Sequence, residues 1–428
     1  MTQTADYLII GGGLYGCSIA YQLALQGAKN VVLLERNEIC QAATSKSCAI
    51  VRTHYSVEAN LIHAVESLKV FEDFDEQVGG DIGFQRTGYL ILGPEDHREP
   101  MLEVFKLQNE QGIDTRVIDA EEAKALHPLL QLDDVEVIGY DTQTGYCDPY
   151  LATTAFAKRA RDLGVEIRTG VQVQDLAADG IVKSVTTDSE TFETPHLILA
   201  SGGWTANLAS ALGVEVPLEL SRHKVITLKT TDDYLRTWPI IKDLTTEDKI
   251  YFRPDSGGVV LIGTGDHGDP IENPDLLTDD VDSDHIERIG SLMKNRMPVF
   301  ADADYVNGWT GPYDITPDWN PIVGKVPGPE GVFIAVGFSG HGFKNAEDYY
   351  SKSSCKAFLN HIKVPTLIMN SLDDPFLEVS SFPSSSEVSS QVDLEYHRKG
   401  GHAAFITGSP WNKSGWTETR VPEFFKTH

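Results

Sequence analysis

A glycine-rich turn lies between two apolar runs near the start of the chain. Tyr7-Leu-Ile-Ile10 reads as a strand, Gly11-Gly12-Gly13-Leu14-Tyr15-Gly16 follows, and Cys17 to Gln26 has helical apolar spacing at Ile19, Ala20, Leu23 and Ala24. Gly27 ends that helix, Val31-Val-Leu-Leu34 reads as the next strand, and Glu35 closes it. The result is a βαβ unit with G-x-G-x-x-G at Gly11, Gly13 and Gly16 and an acid about 20 residues on. Gly11 permits the tight turn, Gly13 lets a pyrophosphate approach, and Gly16 lets helix pack on strand. The helix N-terminus favours phosphate charge, and Glu35 can accept hydrogen bonds from a ribose diol. The pattern specifies a dinucleotide and does not separate NAD from FAD.

A second ligand-type turn lies in residues 308–344. There a buried-strand run, Val332 to Val336, leads into Gly337, Gly340 and Gly342, with His341 and Lys344 at the end. Glycines after a strand let backbone N–H groups approach a ligand closely.

Composition narrows the class. The chain has 428 residues and a formal net charge of −28, which argues against nucleic acid and anionic membranes as partners. No apolar run is long enough to span a bilayer. A first strand within the first ten residues reads as the absence of a secretion signal. Cys17, Cys40, Cys48, Cys147 and Cys355 are odd in number and show no metal spacing, so a reduced, cytoplasmic protein without a metal is expected.

Four segments, taken in order, resemble the D-amino-acid oxidase superfamily of flavoproteins, and within it the sarcosine oxidase and dimethylglycine dehydrogenase branch. They are the N-terminal βαβ unit, Thr44 to Tyr55, Leu197 to Thr205, and Trp309 to Lys344. The resemblance implies FAD, and a fold of mixed α/β and α+β class: a Rossmann-like FAD-binding domain with an antiparallel-sheet substrate domain. The FAD-binding domain would be discontinuous, from residues 1–80, 145–215 and 308–345, with residues 81–144 and 216–307 forming the substrate domain. Val171-Gln-Val-Gln-Asp175 reads as a strand, Leu197 to Ala200 as a buried parallel strand, and 85–92 and 220–265 as antiparallel strands. Helical patterns occupy 56–78 and 100–112.

The activity implied is oxidation of a small N-methylated amino acid or related amine, by hydride transfer from the carbon beside nitrogen to flavin N5. Oxygen or a separate electron-transfer acceptor would take the electrons. The family's motifs place Arg52 and Lys344 on the substrate carboxylate, where an arginine fork and a second charge suit an anion, and Tyr251 in the active site. His267, His54 and His341 would shape the flavin environment. The cofactor would be held by Gly11, Gly13, Leu14, Tyr15, Gly16, Glu35, Arg36, Ser45, Ser47, Cys48, Val173, Ser201, Gly202, Trp204, Gly311, Gly337, Ser339, Gly340, His341, Gly342 and Lys344. Three positions depart from the family. Gly311 stands where some oxidases carry a flavin-tethering cysteine. Cys48 stands near a tethering histidine, and reads either as a cysteinyl link or as a buried free thiol. Leu261 stands where the oxidases carry an oxygen-activating lysine, which leaves oxidase and dehydrogenase both open.

The last eighty residues break the pattern. Val364 to Phe376, with Asp-Asp-Pro-Phe at its end, and Gly400-Gly-His-Ala-Ala-Phe405 resemble the C-terminal part of an α/β-hydrolase esterase, giving a hydrolase-like fragment over 346–428 and a chimeric chain. Ser339, Asp374 and His402 occur in that fold's triad order. His341, however, fills the place of the second glycine in the nucleophile elbow. An inactive fusion is the third reading.

Overall fold

The computed structural model describes residues 2–230, 234, 237–265, 269–338, 359–360, 362–363, 365–372, 382–398, 406–409 and 412–415. The chain divides into two units, Met1–Asn345 and Ala346–His428. Among the described residues, no helix is long and apolar enough to cross a membrane.

The first unit is built on two large sheets. The first has six strands in the order Glu166–Arg168, Val31–Leu34, Tyr7–Ile10, His196–Leu199, Val332–Val336 and Ile322–Lys325. Its first five strands are parallel and the sixth is antiparallel. Parallel strands are covered on both faces, which is why these runs are apolar without alternation. Helices Leu14–Leu25 and Pro149–Asp162 cover one face with Cys17, Ala20, Tyr21, Phe156 and Ala160. The second of these helices starts where it does because Asp148 caps it, accepting from Tyr150 N and Leu151 N at 2.8 and 2.9 Å, with Pro149 in the first position. A four-stranded sheet covers the other face with Leu176, Val185 and Phe192.

The second sheet has eight strands: Asp304–Ile315, Glu219–Lys229, Val259–Gly263, Tyr251–Pro254, Ile240–Asp243, Tyr89–Gly93, Val137–Asp141 and Thr115–Ile118. One face packs Ile226, Leu228, Phe252 and Ile262 against Ile289 and Met293 of helix Ser283–Arg296. Side chains alternate along strands, so the neighbours of these residues point the other way.

Two expectations are corrected. The substrate sheet is mixed rather than antiparallel, because Ile240–Asp243 runs parallel to Tyr89–Gly93. Residues 308–315, assigned to the flavin domain, pair along Glu219–Lys229 in the eight-stranded sheet. Strand Asp304–Ile315 is long enough to run from this sheet to the first domain's edge, and a glycine-rich sequence carries no marker of that crossing. Two boundaries also move: the first helix begins at Leu14, and the strand expected from Val171 begins at Val173.

In the second unit, Thr366–Ser371 pairs in parallel with Val392–His397, and Ile406–Ser409 pairs antiparallel with Asn412–Gly415.

Candidate active site

The first part of the site lies at the carboxyl ends of the parallel strands. Gly11, Glu35, Ser201 and Gly337 follow Tyr7–Ile10, Val31–Leu34, His196–Leu199 and Val332–Val336, the edge at which open α/β sheets bind ligands. Gly11 has φ +115°, and a Cβ there would lie 2.4 Å from Ala200 O. A Cβ at Gly16 would lie 1.9 Å from Gly11 O. Gly13 caps the helix N-terminus without a side chain, beside Thr44 Oγ1, which accepts from Leu14 N at 3.2 Å. Glu35 is anchored at this edge, accepting from Gly12 N at 2.6 Å and Asn37 N at 2.8 Å. The cradle fits a dinucleotide: bare backbone and a helix N-terminus for the phosphates, and an acid for the ribose.

The surrounding loops close on this edge. Arg36 lies 4.2 Å over the Trp204 ring, and both side chains contact Asp275, at 2.7 and 3.0 Å. Ser201 bonds Thr205 at 3.0 Å, and Gly202 has φ +51°. Ser45 Oγ donates to Ala42 O at 3.0 Å, while Ser47 Oγ accepts from Ala49 N at 2.9 Å. Val173 opens the covering sheet, half-buried. Gly337, with φ +77°, donates its N–H to Asp314 at 2.8 Å. Tyr15 stacks on Phe338, and burial, with Tyr55 and Asp314 close by, pushes its hydroxyl pKa up.

Arg52 stands at the centre of the second part. Its guanidinium donates to His54 O at 2.7 Å and stacks on Tyr55 at 4.6 Å. Tyr55, Tyr89, Tyr313 and Tyr251 surround it, and although burial opposes its charge, these rings more than offset that and raise its pKa. The loop carrying Arg52 is fixed from below. Thr53 and Gln108 both donate to Asp141, at 3.0 and 3.1 Å, and Gln108 Oε1 meets His54 Nδ1 at 3.3 Å. Burial and the Arg52 charge lower the pKa of His54 to about 4, so this ring is neutral at physiological pH.

The second face of the eight-stranded sheet, which also packs Tyr89, Ile91, Ile240, Val225 and Leu261, supplies the wall. Tyr251 Oη meets His223 Nε2 at 2.8 Å with the rings nearly parallel, and His223 also stacks on Tyr313 at 4.3 Å. Gly263 makes this possible: a Cβ there would lie 2.4 Å from the Tyr251 ring. Burial holds the Tyr251 hydroxyl well above its ordinary pKa, so it stays protonated. Lys242, opposite Tyr251 on the next strand, lies 5.2 Å from the centre of that ring.

Gly311 and Cys48, the two positions that the sequence reading compared with flavin tethers, differ in environment. A Cβ at Gly311 would already lie 2.8 Å from Lys46 Cβ, so no longer side chain fits there as the loops stand. Cys48 is buried with Val225 and Leu261, and burial raises its thiol pKa; Tyr251 contacts it, and Arg253 Nε donates to its carbonyl at 2.6 Å. This is the environment of a packed, protonated thiol.

Arg52 and Tyr251 are thus brought to one pocket. His267, Ser339, Gly340, His341, Gly342 and Lys344 lie outside the described residues, as do Asp374 and His402. Sequence reasoning missed His223, Lys242, Tyr89 and Tyr313. The signal available was strand alternation through Glu219–Lys229 and Ile240–Asp243, where each polar residue sits opposite an apolar core neighbour.

Residues 6–346 match the family model described as DAO, FAD dependent oxidoreductase. The chain is 30% identical over 366 residues to mitochondrial dimethylglycine dehydrogenase of Homo sapiens, covering 80% of this chain and 41% of that protein. It is 28% identical over 350 residues to 4-methylaminobutanoate oxidase (formaldehyde-forming) of Paenarthrobacter nicotinovorans, covering 78% and 41%. The chain therefore spans about two fifths of the length of these relatives. Among solved structures, L-proline dehydrogenase from P. horikoshii superposes with a TM-score of 0.73 at 24% identity, over 83% of this chain and 92% of that one.

Proposed function

The chain belongs to the DAO family of FAD-dependent oxidoreductases, and from that premise we propose that it oxidises a small N-methylated amino acid at the carbon next to nitrogen. The observation that carries this reading is a cluster of side chains: a partly buried arginine ringed by tyrosines, with the Tyr251–His223 pair on the neighbouring sheet. Similarity to proteins whose names specify dimethylglycine and 4-methylaminobutanoate supports the substrate class.

FAD, when bound, would supply the redox chemistry as the hydride acceptor. Gly11, Gly13, Gly16 and Glu35 would hold its dinucleotide end, with Arg36, Trp204 and the loops at Ser45, Ser201 and Gly337 around it. Arg52 binds the substrate carboxylate through the donors that His54 does not use. This orients the amine toward the Tyr251 hydroxyl. C–H cleavage needs a neutral amine, so the ammonium proton must leave first. Tyr251 Oη relays it to His223 Nε2, which lies within one hydrogen bond. The rings around Arg52 exclude water until the imine is formed; water then hydrolyses the imine to amine and aldehyde.

Leu261 lies in an apolar cluster with Cys48 and Val225, which favours a separate acceptor over fast reaction with oxygen. The four described cysteines are free and buried, which fits a reducing, cytoplasmic setting, and the acidic charge fits a partner list without nucleic acid or membrane. Ala346–His428 is read as a hydrolase-like piece joined to the oxidoreductase. The parallel pairing of Thr366–Ser371 with Val392–His397 supports an α/β origin, because parallel neighbours need a long crossover.

The test is anaerobic mixing of the FAD-loaded protein with N-methylglycine and dimethylglycine. Loss of oxidised-flavin absorbance is expected. A flavin that dithionite reduces but no N-methylated amino acid does would overturn the reading.

A further inference from the structure

Lys242 is the second cation of the pocket, and its surroundings differ from those of Arg52. Arg52 stacks on Tyr55 and donates to His54 O. Lys242 lies over Tyr251 instead, and donates to Lys249 O at 2.7 Å. A Cβ at Gly265 would come within 3.0 Å of the Lys242 ammonium, so the bare glycine leaves it room. The nearest carboxylate in sequence, Asp243, points to the opposite face, where it is bound by Arg296 at 2.7 Å. Among the described residues, neither Arg52 nor Lys242 has a carboxylate partner. Both are partly buried, and two partly buried basic groups without carboxylate partners cost stability unless a ligand brings the anions. Because each is anchored on its own ring, they mark two anionic positions.

We propose that Lys242 recognises a second carboxylate, so that the site takes N-alkylated amino dicarboxylates in preference to monocarboxylates. This rests on the amine-oxidation reading and deepens it. Arg52 holds the carboxylate next to the reacting carbon, and Lys242 receives the carboxylate at the other end. Burial first, and then the Arg52 and Lys249 charges, lower the Lys242 pKa to about 7; an incoming carboxylate reverses that shift, so binding takes up a proton. Specificity arises because a monocarboxylate leaves the partly buried Lys242 without an anionic partner.

The experiment titrates the FAD-loaded protein with succinate and with butyrate, two acids of the same chain length that cannot be oxidised as amines, following the perturbation of the flavin spectrum. Succinate is expected to bind ~10-fold or more tightly, the scale of one buried charge pair. In Lys242→Met the ratio of the two constants should fall toward one, and in Lys242→Arg it should stay above one. FAD content of each variant separates lost recognition from lost folding, and the wild-type ratio tests the proposal even if the methionine variant does not fold. A wild-type ratio near one, or a ratio unchanged in FAD-loaded Lys242→Met, overturns it. Flavin reduction by N-methylaspartate and N-methylglycine separates the two layers. A succinate preference without reduction by either amine keeps Lys242 and sinks amine oxidation; reduction by N-methylglycine with equal binding of the two acids does the reverse.

Discussion

The two large sheets of the first unit meet their ligands in opposite ways. The six-stranded sheet is buried on both faces and presents only strand ends, so its contribution is backbone: Gly11, Gly13, Gly337 and a helix N-terminus. The eight-stranded sheet packs one face on helix Ser283–Arg296 and turns the other toward Arg52, so its contribution is side chains of that second face: His223, Lys242, Tyr251 and Tyr89. Changes in the first should alter whether flavin is held. Changes in the second should alter what is done with the substrate while flavin stays.

The largest effect should come from the backbone side. Gly16→Val puts a side chain where a Cβ alone would lie 1.9 Å from Gly11 O, and neither backbone segment can give way without opening the turn. The protein should be isolated without flavin and fail to take up added FAD, as absorbance would show. Retained yellow colour would mean that the turn does not form the cradle. Next is Arg52→Met, which should keep full FAD content but weaken carboxylate binding ~100-fold, about 3 kcal/mol for a lost hydrogen-bonded charge. Loss of flavin in this variant would break the division between the two sheets.

Acid should distinguish the sheets as well. His127 is fully buried behind the eight-stranded sheet, meets the Tyr234 hydroxyl at 2.6 Å through Nε2 and packs at a tilt against Trp238, while its Nδ1 has no hydrogen-bond partner among the described residues. Burial lowers its pKa from 6.5 to about 4. Between those values the unfolded chain binds the extra proton and the folded one does not, so stability is lost as pH falls from 6.5 toward 4. The loss is on the order of 3 kcal/mol. Denaturant melts should show it, and His127→Phe should make that stretch of the profile shallower, leaving the part that His54 contributes. An unchanged profile would mean that His127 titrates normally.

The same contrast explains what was legible in the sequence. The cofactor cradle is local: strand, turn, helix, strand and acid fit within residues 7–35, and each glycine has a steric reason that can be read from its position. The pocket is not local. Arg52, Tyr89, His223, Lys242, Tyr251 and Tyr313 meet only because a sheet pairs strands from distant parts of the chain, and the parallel pairing of Ile240–Asp243 with Tyr89–Gly93 has no signature of its own. Arg52 and Tyr251 were found because a family motif carries them. His223 and Lys242 sit in alternating runs that look like ordinary half-exposed strands until the register is known. The extension of strand Asp304–Ile315 into the second sheet was missed for the same reason.

The smallest expected effect is the most specific to the side-chain face. Tyr251→Phe removes one hydroxyl and leaves the ring that supports Lys242 and lies over Gly263. The hydroxyl is worth about 1 kcal/mol as a hydrogen bond, so substrate affinity should fall less than ~10-fold. The consequence for chemistry is different in kind. Without the relay, His223 no longer reaches the substrate ammonium, and flavin reduction should need the amine to arrive already neutral. The rate of reduction should then rise with pH through the amine's own titration, where the unaltered protein, with the relay in place, should depend on pH less steeply. A Tyr251→Phe protein whose pH profile coincides with that of the unaltered one would reduce the pair to packing. The assignment of the proton to the side-chain sheet would fall with it, even if the rate itself had dropped.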